Sequence, residues 1–184
     1  MTILLLCEPR SGSTNLANWF FINKKFTVLF IPSDPASKWY QNNIHPKEYK
    51  YKTEHLVIKE DFYPNKDYTN FLEITDKVIL LYRENETEQI QSWINSTTTN
   101  NWHNQYKYRQ FENKEQKDYF RNIKKSFKDS FLDKDYFKIS YEDLYYQNGI
   151  KKVINYIGID ELNNIKFPIG QKYRVDVPNT KNII

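Results

Sequence analysis

Short apolar runs alternate with longer amphipathic stretches along this chain. Thr2–Cys7 (TILLLC) is apolar throughout, the pattern of a strand buried on both faces of a parallel sheet. Residues 14–23 then predict a helix with Leu16, Trp19 and Phe20 on one side. Residues 27–31 form a second strand, which Pro32 and Pro35 break. A short helix carrying Trp39 and Tyr40 is expected over 38–44. Residues 55–59 (HLVIK) predict a third strand and 68–74 a helix. Lys77–Tyr82 (KVILLY) is the fourth strand and the most apolar. A helix over 84–95 follows, with Glu in its first turn where the helix dipole favours negative charge. Residues 100–110 are polar and aromatic and read as a loop. Over 114–131, Tyr119, Phe120, Ile123, Phe127 and Phe131 recur at helical spacing. A short fifth strand spans 136–140, and a helix over 149–157 closes near Gly158. From Phe167 onward the chain is punctuated by proline and reads as extended. Strands alternating with helices imply an α/β fold, a parallel sheet covered on both faces.

Composition adjusts this picture at a few points. A chain of 184 residues suits one domain with a single core, and no repeat, linker or low-complexity block divides it. Leu and Val are scarce, but 15 Tyr, 12 Phe and 4 Trp supply enough ring area to build that core. The net charge of +4 fits an anionic ligand and is too small to argue for nucleic acid. Cys7 is alone, which excludes an internal disulfide and a Cys-based zinc site. The three His, at 45, 55 and 103, lack metal-ligand spacing, so no metal is expected. The apolar run at the start is too short for a signal peptide or a membrane span. A soluble, cytoplasmic protein without a membrane partner is the expectation.

The chemistry concentrates where the first strand meets the first helix. Pro9-Arg10-Ser11-Gly12-Ser13-Thr14 occupies a turn that aims backbone N–H groups at one spot, with the helix dipole adding positive potential. Gly12 permits close approach, and Ser11, Ser13 and Thr14 add hydroxyl donors. Arg10 supplies a charge that can fork onto a phosphate or sulfate. A phosphorylated nucleotide is the expected ligand. The Walker A pattern needs an earlier Gly and a Lys before the Ser/Thr, and neither is present, which disfavours a simple ATPase or GTPase. The same residues would also serve an ordinary turn with Ser13 or Thr14 as helix N-cap. A second element follows the fourth strand. Arg83 leaves that strand at its carboxyl edge, and Ser92 lies nine positions on, about two turns into the next helix. Neighbouring carboxyl ends meet at one crevice in a doubly wound sheet, so both residues could clamp a second phosphate. A surface salt bridge of Arg83 with Glu84 or Glu86 is the plainer alternative.

Together these segments resemble the sulfotransferases that use 3′-phosphoadenosine 5′-phosphosulfate (PAPS). The loop matches that family's 5′-phosphosulfate pattern over Pro9 to Thr14. KVILLYRENETEQIQS, ending at Ser92, resembles its 3′-phosphate element, especially in the bacterial, carbohydrate-type branch. Tyr141-Glu142-Asp143-Leu144 resembles a third segment, whose Tyr lies near the adenine. The end of the chain weakly resembles the tail that lends a basic residue to the 3′-phosphate, with Lys172 and Arg174 as candidates.

The resemblance implies a three-layer α/β sandwich around a parallel sheet, of the P-loop nucleoside-triphosphate-hydrolase-like type, with residues 1–184 as one sulfotransferase-like domain. It implies transfer of a sulfonate from PAPS to a hydroxyl or amine acceptor, a small molecule or glycan, leaving 3′-phosphoadenosine 5′-phosphate (PAP), with no metal. Arg10, Ser11, Gly12, Ser13, Thr14 and Asn15 would hold the 5′-phosphosulfate, Asn15 standing where an adenine-stacking aromatic is common. Arg83, Ser92, Tyr141 and the basic tail would hold the rest of the nucleotide. For the proton acceptor the candidates are Asp34, taken first, Glu60 and Asp61. Lys59 would assist at the transferring group. Trp39, Tyr40, Trp93, Trp102 and His103 are candidate acceptor contacts, with core packing the commoner role for such rings. Two other readings stay open: a kinase-like phosphotransferase on the same core, and a non-catalytic module that binds PAPS or PAP.

Overall fold

A computed structural model of the chain describes residues 1–22, 25–34, 46–50, 53–99 and 114–167. Its strands are β1 (Thr2–Cys7), β2 (Phe26–Phe30), β3 (His55–Asp61), β4 (Lys77–Tyr82) and β5 (Phe137–Ser140). They form one five-stranded sheet in the order β2-β3-β1-β4-β5, every pair parallel. The described helices are α1 (Ser13–Ile22), α2 (Pro46–Lys50), α3 (Thr69–Leu72), α4 (Glu86–Thr99), α5 (Lys114–Phe127), α6 (Tyr141–Tyr146) and α7 (Ile150–Ile157). This is the expected three-layer α/β architecture.

The central position of β1 explains its unbroken apolar run, because all six of its residues are buried. Alternate side chains feed two cores. Ile3, Leu5 and Cys7 pack with Trp19 and Phe20 of α1 and with Val153 and Ile154 of α7. Leu4 and Leu6 pack on the other face with Phe62, Phe127 and Phe131. Burying each such side chain is worth about 1.5–3 kcal/mol, so the strand's pattern alone fixes which residues face which layer. The rings fill what Leu and Val do not: Phe62 lies 5.2 Å from Phe127 and 5.7 Å from Phe131. A third, smaller cluster joins α4 to α5 through Ile90, Trp93, Ile94 and Phe120, which makes Trp93 a packing residue.

Several boundaries differ from expectation for local reasons. The helix expected over 114–131 ends as α5 at Phe127 and continues as a wider π-type turn, Lys128–Leu132. That turn keeps Phe131 against Phe62 and Tyr68. α6 was not expected as a separate helix. Ser140 caps it, its hydroxyl accepting the Asp143 N–H at 3.1 Å. α7 closes at Gly158, left-handed at φ 75°, whose N–H reaches the Ile154 carbonyl. The helix expected over 38–44, the loop over 100–110 and the tail beyond 167 lie outside the described residues. Among the described residues no helix is long and apolar enough to cross a membrane.

Register places the site. Cys7 at the end of β1 lies beside Asp61 of β3 and Leu81 of β4. The segments leaving these strands therefore emerge at one edge, where the sheet order reverses on either side of β1. Such reversal points, outside the carboxyl ends of parallel strands, are where this class of sheet binds ligands.

Candidate functional site

The loop between β1 and α1 is held by its neighbours. The Glu8 N–H donates to the Leu81 carbonyl at 3.0 Å, and Phe62 N–H donates to the Cys7 carbonyl at 2.7 Å. Arg10 (φ 64°) and Gly12 (φ 80°) are both left-handed, which bends the chain sharply and lets amide groups converge. For Arg10 that conformation costs about 1–2 kcal/mol, a strain typical of ligand-holding turns. Gly12 sits against two rings of α6. A Cβ at that position would lie 2.9 Å from ring atoms of both Tyr141 and Tyr145. The Tyr145 hydroxyl donates to the Gly12 carbonyl at 2.8 Å. Burial raises the Tyr145 phenol, so it stays a donor. Ser13 is buried beneath the loop beside Cys7, whose thiol burial pushes upward and keeps protonated.

An anion fits this loop. Ser11 is fully buried, and its hydroxyl oxygen has no hydrogen-bond partner among the described residues. An orphaned buried hydroxyl costs about 1–3 kcal/mol, which an anionic oxygen accepting from it would relieve. Thr14 and Asn15 follow, half-buried in the first turn of α1, with the Asn15 N–H donating to the Gly12 carbonyl at 3.1 Å.

The second predicted element meets the first. Arg10 Nε donates to Ser92 Oγ of α4 at 2.9 Å. Arg83 leaves β4 at the same edge, and its guanidinium lies 4.4 Å from the centre of the Tyr141 ring. Arg83 Nη2 donates to Glu88, while Arg83 Nε stands 3.7 Å from Glu142 and makes no hydrogen bond among the described residues. Glu142 in turn accepts the N–H groups of Glu84 and Asn85 at 2.9 and 3.1 Å. The Tyr141 phenol is pushed up to about 12, mainly by burial. Arg10, Ser11, Gly12, Ser13, Thr14, Asn15, Arg83, Ser92 and Tyr141 thus come together at the carboxyl edge of the sheet. Lys172 and Arg174 lie outside the described residues, as do Trp39, Tyr40, Trp102 and His103.

The candidate acids separate. β3 runs to Asp61 rather than ending at Lys59, so strand alternation continues through all three charged residues. Lys59 and Asp61 share the face of Val57, which is the α1 face; Glu60 shares the face of Ile58. Lys59 Nζ donates to Asp61 Oδ1 at 2.7 Å, and its charge acts on Cys7 under the loop. Glu60 is fully buried and engaged: it accepts Ser33 N–H at 3.0 Å, Ser33 Oγ–H at 2.8 Å and Lys66 Nζ at 2.8 Å. Asp34 ends the described part of the β2 connection, its N–H donating to the Ile31 carbonyl at 3.0 Å. Both Asp34 and Asp61 act electrostatically on the Tyr63 hydroxyl, which burial raises first of all.

Sequence reasoning missed a polar hub behind the loop. Glu8 is 2% exposed, and its Oε2 accepts from Arg83 N–H, Gln89 Nε2 and Lys124 Nζ, each at 3.1 Å. Lys124 Nζ also donates to the Arg83 carbonyl at 2.7 Å and to Gln89 Oε1 at 2.8 Å. Gln89 Nε2 further donates to the Pro9 carbonyl at 2.9 Å. The available signal was position: Lys124 falls one residue after Ile123 and four after Phe120, on the edge of the buried stripe of α5.

No protein-family model matches the sequence, and no curated protein matches it either. Among solved structures it is similar to mouse sulfotransferase SULT7A1, crystallised in complex with PAP, with a TM-score of 0.60 and 17% sequence identity. The similarity covers 89% of this chain and 62% of the mouse protein, so the chain spans about three-fifths of that protein's length. At that identity the match speaks for the fold: the five-stranded parallel sheet and its flanking helices are those of a sulfotransferase-like α/β domain.

Proposed function

We propose that the chain is a PAPS-dependent sulfotransferase, residues 1–184 acting as one domain, that transfers a sulfonate to a hydroxyl or amine of a carbohydrate acceptor. One observation carries this reading. Arg10 reaches Ser92 while Arg83 lies on the Tyr141 ring, so the loop and the β4–α4 segment form two cationic stations beside one aromatic face. That suits an adenine nucleotide phosphorylated at both its 5′ and 3′ positions. The sulfotransferase crystallised with PAP shares the fold, which supports the same ligand here.

PAPS would supply the sulfonate on a phosphate leaving group. The chain's residues would position it and neutralise charge. Ser11, Ser13, Thr14, Asn15 and the amides around Gly12 would cradle the 5′ end, with Arg10 stabilising the departing phosphate. Arg83 and Ser92 would take the 3′-phosphate, Glu88 swinging aside, with Lys172 or Arg174 closing over it. Tyr141 would line the adenine. On the acceptor side Lys59 would meet the transferring group. A carboxylate would take the acceptor proton: Asp34, or Asp61 on the face of Lys59. Glu60 would anchor the β2–β3 connection through Ser33 and Lys66.

The test pairs two measurements. PAP should raise the melting temperature while ATP with Mg²⁺ does not, and labelled PAPS should pass its label to a member of a carbohydrate acceptor panel. Strong stabilisation by ATP alone would sink the proposal in favour of a kinase-like phosphotransferase. PAP binding without transfer would favour a non-catalytic nucleotide module. That second reading has its own support, since Glu60 and Asp61 are already paired with Lys66 and Lys59.

A further inference from the structure

The hub around Glu8 holds both backbone polar groups of one residue, Arg83. Glu8 accepts the Arg83 N–H, and Lys124, paired with Glu8, donates to the Arg83 carbonyl. Gln89 ties the same carboxylate to the Pro9 carbonyl, one residue before Arg10. Four segments therefore meet on two opposite charges: the loop after β1, the end of β4, the first turn of α4 and the last turn of α5.

We infer that Glu8 and Lys124 are positioning residues that fix the Arg83 backbone against the β1–α1 loop and so set the nucleotide's selectivity for a 3′-phosphate. The inference rests on the proposed nucleotide site. Three features of the hub support it beyond general stability. The carboxylate is 2% exposed and its Oε2 takes three donors, so its geometry is fully determined. A buried ion pair of this kind is poorly rewarded as a stability device, because desolvation offsets most of the attraction. And the backbone groups that Glu8 and Lys124 themselves grip are both those of Arg83, whose side chain lies on Tyr141. Arg83 emerges from β4 one residue beyond its last ladder partner, Tyr82 opposite Ser140, so the sheet itself no longer fixes its peptide. The hub supplies that missing constraint. Its charges also cancel locally, so the carboxylate puts no net negative charge behind an anion site.

Lys124→Met keeps much of the side chain's apolar stem and removes every bond it makes. Glu8→Gln keeps the shape and removes the charge. The double variant Glu8→Gln/Lys124→Met carries neither charge. Affinities for PAP and for adenosine 5′-monophosphate, which lacks the 3′-phosphate, are measured by calorimetry on the folded full chain, with melting temperatures beside them. In each variant PAP should weaken about tenfold while the monophosphate changes less than about twofold. In the double variant the melting temperature should recover towards wild type, since no uncompensated charge remains, but the PAP preference should stay lost. If the double variant recovers both, or if both nucleotides weaken equally, the pair is only a structural ion pair and the inference fails. A wild-type chain that shows no preference for PAP overturns the nucleotide site and the hub's role with it. A wild-type preference that all three variants keep overturns the hub's role alone.

Discussion

Replacing Gly12 with Ala separates two contributions that the fold combines at one residue. The first is conformational. At φ 80° an L-residue is strained by about 1–2 kcal/mol. The second is steric. The new Cβ would lie 2.9 Å from ring carbons of both Tyr141 and Tyr145. Neither ring yields cheaply. Tyr145 is buried with its hydroxyl bound to the Gly12 carbonyl, and the two rings already lie 4.5 Å apart. Forcing a methyl group into such packing costs about 1–3 kcal/mol. The total is about 2–5 kcal/mol, or roughly 5–15 °C in melting temperature for a chain of this size. Gly158 supplies the control. It is left-handed at φ 75°, but an added Cβ there meets nothing within 4 Å. Gly158→Ala should therefore cost only the strain, about 1–2 kcal/mol. Urea denaturation of both variants measures the difference directly. Equal losses for the two would show that the rings accommodate the methyl group, and the close fit of α6 against the loop would lose its meaning. Relief by displacing Tyr141 would carry Arg83 with it, so Gly12→Ala should also weaken PAP more than it weakens adenosine 5′-monophosphate.

Further expectations follow from the same contacts. Tyr145→Phe removes the donor to the Gly12 carbonyl and should cost about 1 kcal/mol in urea denaturation; no change would mean that the bond is absent in solution. Glu60→Gln should lower stability by about 2 kcal/mol, because three donors converge on that buried carboxylate; an unchanged melting temperature with transfer abolished would restore Glu60 as the proton acceptor. Arg83→Ala should weaken PAP more than adenosine 5′-phosphosulfate, which lacks the 3′-phosphate; equal loss of both would refute its assignment. Stability should also fall in alkali. Tyr141, Tyr63, Tyr68 and Tyr145 all have raised phenols in the folded chain, with burial as the first cause. The native state thus holds protons that the unfolded chain releases near pH 10, and stability drops from there upward, through the Tyr141 value of about 12. Melting temperatures from pH 8 to 11.5 alongside phenolate absorbance check this; flat stability across pH 10 to 11.5 would contradict the burial of those hydroxyls.

The parts of the site legible in the sequence are those where neighbours in sequence are also neighbours in space. The loop from Pro9 to Thr14 is one continuous turn, and Arg83 to Ser92 is one strand end plus two helical turns. Parallel strands then bring the two together without further information, because apolar runs such as Thr2–Cys7 and Lys77–Tyr82 can only be interior strands of such a sheet. The less legible parts are charged residues in buried positions. Hydrophobic periodicity ends strand β3 at Lys59, yet the strand runs on to Asp61, so Glu60 reads as a loop acid when it is the inward residue of a pair of alternating faces. The same blindness hides Glu8 and Lys124. A Glu after an apolar run and a Lys in a polar helix carry no sign that they will meet across 116 positions of sequence. Only the stacking of α5 on the back of the sheet brings them within hydrogen-bonding distance. The residues proposed to touch the nucleotide are therefore readable here from local pattern, while those that hold them in place are fixed by tertiary packing. Three of the hub's bonds end on the backbone of Arg83 and Pro9, whose conformation no residue-by-residue pattern records. A substitution at Lys124 would look conservative of both face and helix propensity, and would still release the Arg83 backbone on which the proposed nucleotide site depends.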